Sequence, residues 1–124
     1  MGNMNVKPAD GKLGVLCVGL GAVTSTFMTG VLMARKGLAK PVGSMTQYDK
    51  MRVGRGENKK YLHYGEIVPL ADLKDIVFGA WDVYPANAYE SAINAEVLKE
   101  RDINPVKDEL EKIVPMKAAF DKKF

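Results

Sequence analysis

Apolar and polar positions fall into blocks along this chain, and the period changes from block to block. Leu13 to Val18 is an unbroken apolar run ending at Gly19. A short run rich in branched residues predicts a strand buried on both faces, as in a parallel sheet. From there to about Lys36 the spacing turns helical. Val23, Phe27, Val31 and Met28, Leu32 stand at i, i+4 positions and predict an apolar stripe. Arg35 and Lys36 complement the C-terminal end of the helix dipole, and Gly37 is placed to cap it. Pro41 then opens a second extended segment, about Val42 to Gln47. Ile76 to Trp81 is the second strong apolar run and predicts a central strand with Asp82 at its C-terminal end.

Between these runs lies a stretch of another kind. Residues 49–65 crowd Asp49, Lys50, Arg52, Arg55, Glu57, Lys59 and Lys60 among Gly54, Gly56 and Gly65. They predict an exposed loop or hairpin inserted into the unit, with a short strand within Tyr61 to Val68. Asp72 to Asp75 reads as one helical turn. Asn87 and Glu90 have capping-box spacing and start a helix expected to reach Arg101, with Tyr89, Ile93, Val97 and Ala88, Ala92 on its buried side. Asn104-Pro105 starts a last short helix carrying Val106, Leu110 and Ile113 on one face, and Pro115 ends it. Met116 to Phe124 reads as a connecting segment. The order is strand, helix, strand, basic insertion, strand, helix, helix. It predicts an α/β fold with a parallel sheet and flanking helices. Residues 1–12, polar and containing Gly2, Pro8 and Gly11, read as a flexible lead-in, and 13–124 as the domain.

Composition narrows the function classes. With 124 residues the chain fits one small domain, and its 47% hydrophobic and 27% charged residues suit a globular core. The formal net charge of +3 is too small to point to nucleic acid. Cys17 is the single cysteine, so no internal disulfide framework exists and a reducing compartment is expected. There is no signal-peptide pattern in Met1 to Asp10 and no apolar run long enough for a bilayer, so the expected location is the cytoplasm, with no membrane partner. His63 stands alone, without metal-ligand spacing. No Ser-His-Asp set, Cys-x-x-Cys pair or Walker loop occurs. No metal is expected.

The candidate chemistry lies at the ends of the two strong strands. A strand running into Gly19-Leu20-Gly21 and then a helix is the setting the dinucleotide fingerprint needs. Gly19 permits the tight turn. Gly21 has no side chain to bar a pyrophosphate from the backbone, and the free N–H groups of the first helical turn face the phosphates. The third fingerprint position, normally Gly or Ala, holds Thr24. The hydroxyls of Thr24, Ser25 and Thr26 can add phosphate contacts. An ordinary strand-to-helix turn would carry the same residues. Asp49 is the nearest acidic candidate for the adenosine ribose but comes late in the spacing. Arg52 could equally take a ribose phosphate and favour NADP; solvated loop charge fits both residues better. Asp82 is placed to accept hydrogen bonds from a ribose, and a turn or N-cap role explains it about as well.

Several separated blocks then resemble one family. Leu13 to Thr26, Arg35 to Pro41, the run Asp75-Ile76-Val77-Phe78-Gly79-Ala80-Trp81-Asp82, then Asn87 to Glu90 and Val114 to Met116 resemble the start of bacterial inositol-3-phosphate synthases. Ala80 replaces a second glycine of that family's pattern. The resemblance implies a Rossmann-like, incomplete domain that binds NAD. Gly19, Gly21, Ala22, Val23 and Thr24 would lie at the pyrophosphate and Asp82 at the adenosine ribose. It implies a redox-neutral isomerase acting on glucose 6-phosphate, by internal oxidation, aldol cyclisation and return of the hydride. The family's catalytic lysines come later than this chain reaches, so no catalytic residue is assigned and the 124 residues alone are expected to be inactive. A homo-oligomer is expected. Two alternatives stay open: a fragment of another NAD(P)-dependent oxidoreductase, and an assembly domain that binds no nucleotide.

Overall fold

The computed structural model describes residues 5–8 and 10–119. Much of the expected lead-in and the end of the expected C-terminal connection lie outside them. The apolar runs form β1 (Leu13–Val18) and β4 (Ile76–Asp82), paired in parallel from Leu13↔Ile76 to Val18↔Trp81. A third strand, β5 (Met116–Lys117), pairs with β4 in parallel, giving the order β1-β4-β5. The sequence reading missed β5. Two residues after a proline carry no period, and the strand is fixed by its partner, with the Ala118 amide donating to the Asp82 carbonyl over 3.1 Å.

Helices cover one face of this sheet. They are α1 (Ala22–Arg35), α4 (Ala88–Ala95), α5 (Glu100–Ile103) and α6 (Lys107–Glu111). The core between them holds Met28, Leu32, Ala80, Ala88, Ala92, Ile103, Val106 and Leu110. The buried side of α1 keeps Met28, Val31 and Leu32 of the expected stripe and adds Ser25 and Thr29, whereas Val23 is 84% exposed and Phe27 45%. Small hydroxyl residues were poor markers of burial here because their polar atoms are satisfied within the helix: Thr29 Oγ1 donates to the Ser25 carbonyl over 2.7 Å. The C-terminal turn is pinned by Arg35, whose Nε donates to the Leu73 carbonyl over 2.6 Å and whose Nη2 donates to the Ile76 carbonyl. Lys36 adds a 2.7 Å ion pair with Glu109.

Among the described residues, no helix covers the other face of the sheet. Alternation sends Val15, Cys17, Phe78 and Ala80 toward the helices and Leu16, Val18, Val77 and Trp81 away from them. Val18 is 90% exposed and Leu16 61%, so the expectation of strands buried on both faces is met on one face only.

Two further expectations change. Val42 to Gln47 is not a strand. The Ser44 amide donates to the Pro41 carbonyl, and Ser44 then starts α2 (Met45–Tyr48), so local turn bonds replace a ladder. The helix expected to reach Arg101 stops at Ala95. Glu96 turns left-handed, at φ 55°, and α5 begins four residues later, leaving Val97 exposed. The capping box itself forms, with Glu90 N–H to Asn87 Oδ1 at 2.9 Å and Asn87 N–H to Glu90 Oε2 at 3.0 Å. The basic insertion is an antiparallel hairpin of β2 (Lys50–Val53) and β3 (Lys60–His63), followed by α3 (Tyr64–Ile67). It forms a sheet of its own and does not extend the parallel one.

Ile103 has no solvent exposure. Replacing it with alanine leaves a cavity under α1 and α4. The expected loss is about 2–5 kcal/mol of unfolding free energy, read from urea denaturation; a loss near zero would mean that α5 and α6 do not close the core.

Candidate nucleotide-binding cleft

Parallel pairing brings the C-terminal ends of β1 and β4 to one edge, and the ladder continues past the strand. The Gly19 amide donates to the Trp81 carbonyl over 2.7 Å. Gly19 has φ +101°, a left-handed conformation that turns the chain toward α1 and that side chains resist. Leu20 is buried, 3% exposed, and anchors the turn in the core. Gly21 is the N-cap of α1 and is extended, at φ −100° and ψ −152°. Nothing lies within 4 Å of the place where a Cβ on Gly21 would stand, so its bare backbone opens to solvent.

The first helical bond of α1 runs from the Ser25 amide to the Gly21 carbonyl, 3.0 Å. The amides of Gly21, Ala22, Val23 and Thr24 therefore precede the intrahelical ladder and are the donors a helix N-terminus offers to an anion. α1 has no acidic residue in its first turn to compete for them. The hydroxyls divide. Ser25 Oγ and Thr26 Oγ1 both donate to the Ala22 carbonyl, at 3.3 and 2.6 Å, so they turn back on the helix and the expected phosphate contacts from them do not form. Thr24 is not tied in this way and stays half-exposed beside the turn.

Asp82 faces the same turn. Its Oδ2 accepts from the Leu20 amide at 2.7 Å and its Oδ1 from the Tyr84 amide at 3.0 Å. The amides of Tyr84 and Leu20, with a smaller contribution from Val83, hold its carboxyl below the ordinary aspartate range, and partial burial opposes them. The Leu20 amide is thereby engaged and is not one of the donors open to a ligand. Leu20, Gly21, Ala22 and Asp82 line a cleft of about 400 Å³, completed by Tyr84, Ala86, Ser91, Asn94 and Ala95. Ser91 and Asn94 escaped the sequence reading. They are polar residues at i, i+3 on α4, and only the packing of α4 against α1 reveals that they look across at Gly21.

Asp49 and Arg52 lie outside this cleft, at the start of the hairpin, so neither is brought to the glycine turn. Among the described residues no group of three or more His, Cys, Asp or Glu could hold a metal ion. No helix among them is long and apolar enough to cross a membrane.

Comparison with known proteins decides the family. The model described as myo-inositol-1-phosphate synthase, an NAD-binding domain, matches residues 13–124. The chain belongs to this family. It is 60% identical over 117 residues to inositol-3-phosphate synthase 1 of Bacteroides thetaiotaomicron, covering 94% of this chain and 27% of that protein. It is 32% identical to inositol-3-phosphate synthase isozyme 1 of Arabidopsis thaliana, covering 91% of this chain and 24% of that protein. The crystal structure of inositol-3-phosphate synthase from Caenorhabditis elegans superposes with a TM-score of 0.79 at 26% identity, over 95% of this chain and 25% of that one. The chain thus spans about a quarter of the length of the relatives it matches.

Because the folded-state pKa of Asp82 is depressed, its hydrogen bonds are fully formed above the unfolded aspartate value, about 3.9, and are lost as pH falls through the lower folded value. The Leu20 and Tyr84 amide proton shifts should titrate together in acid with a midpoint below about 3.9. A midpoint at or above that value would show that the carboxylate is not held by these amides.

Proposed function

We propose that this chain is the NAD-binding part of an inositol-3-phosphate synthase. Its role is to seat the dinucleotide pyrophosphate on the amides of Gly21, Ala22, Val23 and Thr24. Gly19 shapes the turn, and Asp82 stands on the ribose side of the cleft. The observation that carries this reading is that Gly21 and Ala22, the first residues of that run of unladdered N–H groups, line the cleft that also holds Asp82. The cleft has room for a diphosphate and an adjoining sugar, and its donors suit an anion. When bound, NAD supplies reversible hydride transfer, while the residues named here hold and orient it. The whole protein then converts glucose 6-phosphate to inositol 3-phosphate, in the cytoplasm. The 124 residues alone are inactive on this reading, because among the described residues no acid–base set suited to an aldol cyclisation gathers at the cleft.

The same reading includes a homo-oligomer. Among the described residues β1 has a free edge, and with the exposed apolar side chains of Leu16, Val18 and Val77 this supports self-association. Sedimentation of the chain should show a mass that rises with concentration; a single monomer species throughout would remove this part.

Titration of the chain with NAD, followed by calorimetry or amide shifts, should saturate and perturb residues 21–24. Gly21→Val tests the geometry, since the turn has space for the side chain. The variant should keep its thermal midpoint and bind NAD roughly tenfold or more weaker. Unchanged affinity would overturn the assignment of the pyrophosphate to this turn.

A further inference from the structure

We propose that Asp82 is a positioning residue: from the end of β4 its carboxylate braces the glycine turn, so that the amides of Gly21 to Thr24 are set for an anion before any ligand arrives. This rests on the nucleotide reading and adds to it a role for Asp82 that does not require contact with the ligand.

Three observations carry it. The Leu20 amide lies between the two glycines and points at Asp82 Oδ2, 2.7 Å away, across 62 residues of sequence. One residue earlier, the Gly19 amide is held by the Trp81 carbonyl. Consecutive amides of the turn are thus fixed to consecutive residues of β4, the first by the ladder and the second by a side chain that takes over where the ladder ends. Third, Oδ1 accepts from the Tyr84 amide, which fixes the carboxylate itself and prevents it from following the turn if the turn moves.

The brace answers a need set by the sequence. Gly19 and Gly21 let a ligand approach, but glycines also loosen the chain. α1 begins without a side-chain cap, since Gly21 has none to offer. Asp82 supplies from outside the helix the constraint that a capping residue would supply from within. Its charge does not need a cation. The residues of α1 and α4 that line the cleft, Gly21, Ala22, Ser91 and Asn94, are uncharged. Lys117 is the charged residue that β5 brings level with Asp82 in the register. The carboxylate is met by backbone donors, and a carboxylate can accept at both oxygens where an amide has one.

Asp82→Asn separates the brace from a direct ribose contact. The asparagine has the same shape, yet it can accept at only one oxygen and turns an NH₂ toward a backbone N–H. In the chain without ligand, hydrogen exchange of the Leu20 amide should accelerate by about tenfold or more, while amides of α4 keep their protection and show that the fold persists. Binding is then compared for ADP and for 2′,3′-dideoxy-ADP, which lacks the ribose hydroxyls. A brace predicts that the variant weakens 2′,3′-dideoxy-ADP as well as ADP. A loss confined to ADP, or unchanged Leu20 exchange, would overturn the proposal. If the variant does not fold, acid titration of Leu20 exchange in the unaltered chain decides. Exchange in excess of the ordinary pH dependence must appear as Asp82 protonates, and its absence counts against the brace. If the unaltered chain binds neither nucleotide, the NAD reading fails, while Leu20 exchange still reports on the brace itself.

Discussion

The parallel pairing of β1 with β4 is the constraint on which the site depends. Leu13↔Ile76 through Val18↔Trp81 fixes the direction of both strands and their stagger. Strands that run the same way end at the same edge, so whatever follows β1 must lie beside whatever ends β4. A slip by one residue would send the inward set, Val15, Cys17, Phe78 and Ala80, to the open face. It would also take Asp82 away from Leu20. The same hydrophobic alternation that buries the core therefore sets the geometry of the glycine turn.

Burial is divided unequally between the two faces of the sheet. Toward the helices the side chains interlock: Ala80 leaves room for α1 and α4, and Phe27 meets Phe78 edge to face with ring centroids 5.6 Å apart. Away from them, Leu16 and Val18 stand in solvent. The hairpin of β2 and β3 leaves that face uncovered at Leu16, Val18 and Val77, which stay exposed. The cleft lies at an edge that both layers share, but its walls come wholly from the packed side: the turn, the end of β4 and α4.

The sequence made the strong elements plain because their signals were local and periodic. The two apolar runs, the glycine turn, the capping box at Asn87 and Glu90, and the hairpin-like insertion were all readable, and so were the residues at the turn. What failed had non-local causes. β5 exists only through β4. Residues 42–47 read as extended, but they do not pair with β1, and Pro41 to Ser44 closes a turn instead. The apolar pattern of α1 shows Met28, Val31 and Leu32 of its buried side but not Ser25 and Thr29, which can bury once their hydroxyls bond to the helix backbone. Glu96 stops α4 in a left-handed conformation that its residue type does not announce. Ser91 and Asn94 join the cleft only by packing. In the sequence Asp82 closes a strong apolar strand, where a turn residue and a ligand contact fit equally. The hydrogen bonds to Leu20 and Tyr84 show that it does form turn bonds, and that one of them reaches the glycine turn itself.

A carboxylate next to a proposed anion site needs an explanation, because like charges repel and the cleft brings no cation to offset Asp82. The division of donors provides it. The amides of Leu20 and Tyr84 point at Asp82, and those of Gly21 to Thr24 do not. The turn therefore separates two kinds of position along a few residues of backbone. On the side of α1, unsatisfied N–H groups and the positive end of the helix dipole favour negative charge. On the side of β4, a carboxylate with its own donors repels negative charge but can still accept from a neutral hydroxyl through its remaining lone pairs. A ligand that joins a diphosphate to a sugar carries both characters in the same order. On the proposed reading, Asp82 would disfavour a further phosphate on the sugar, while the helix terminus favours the diphosphate.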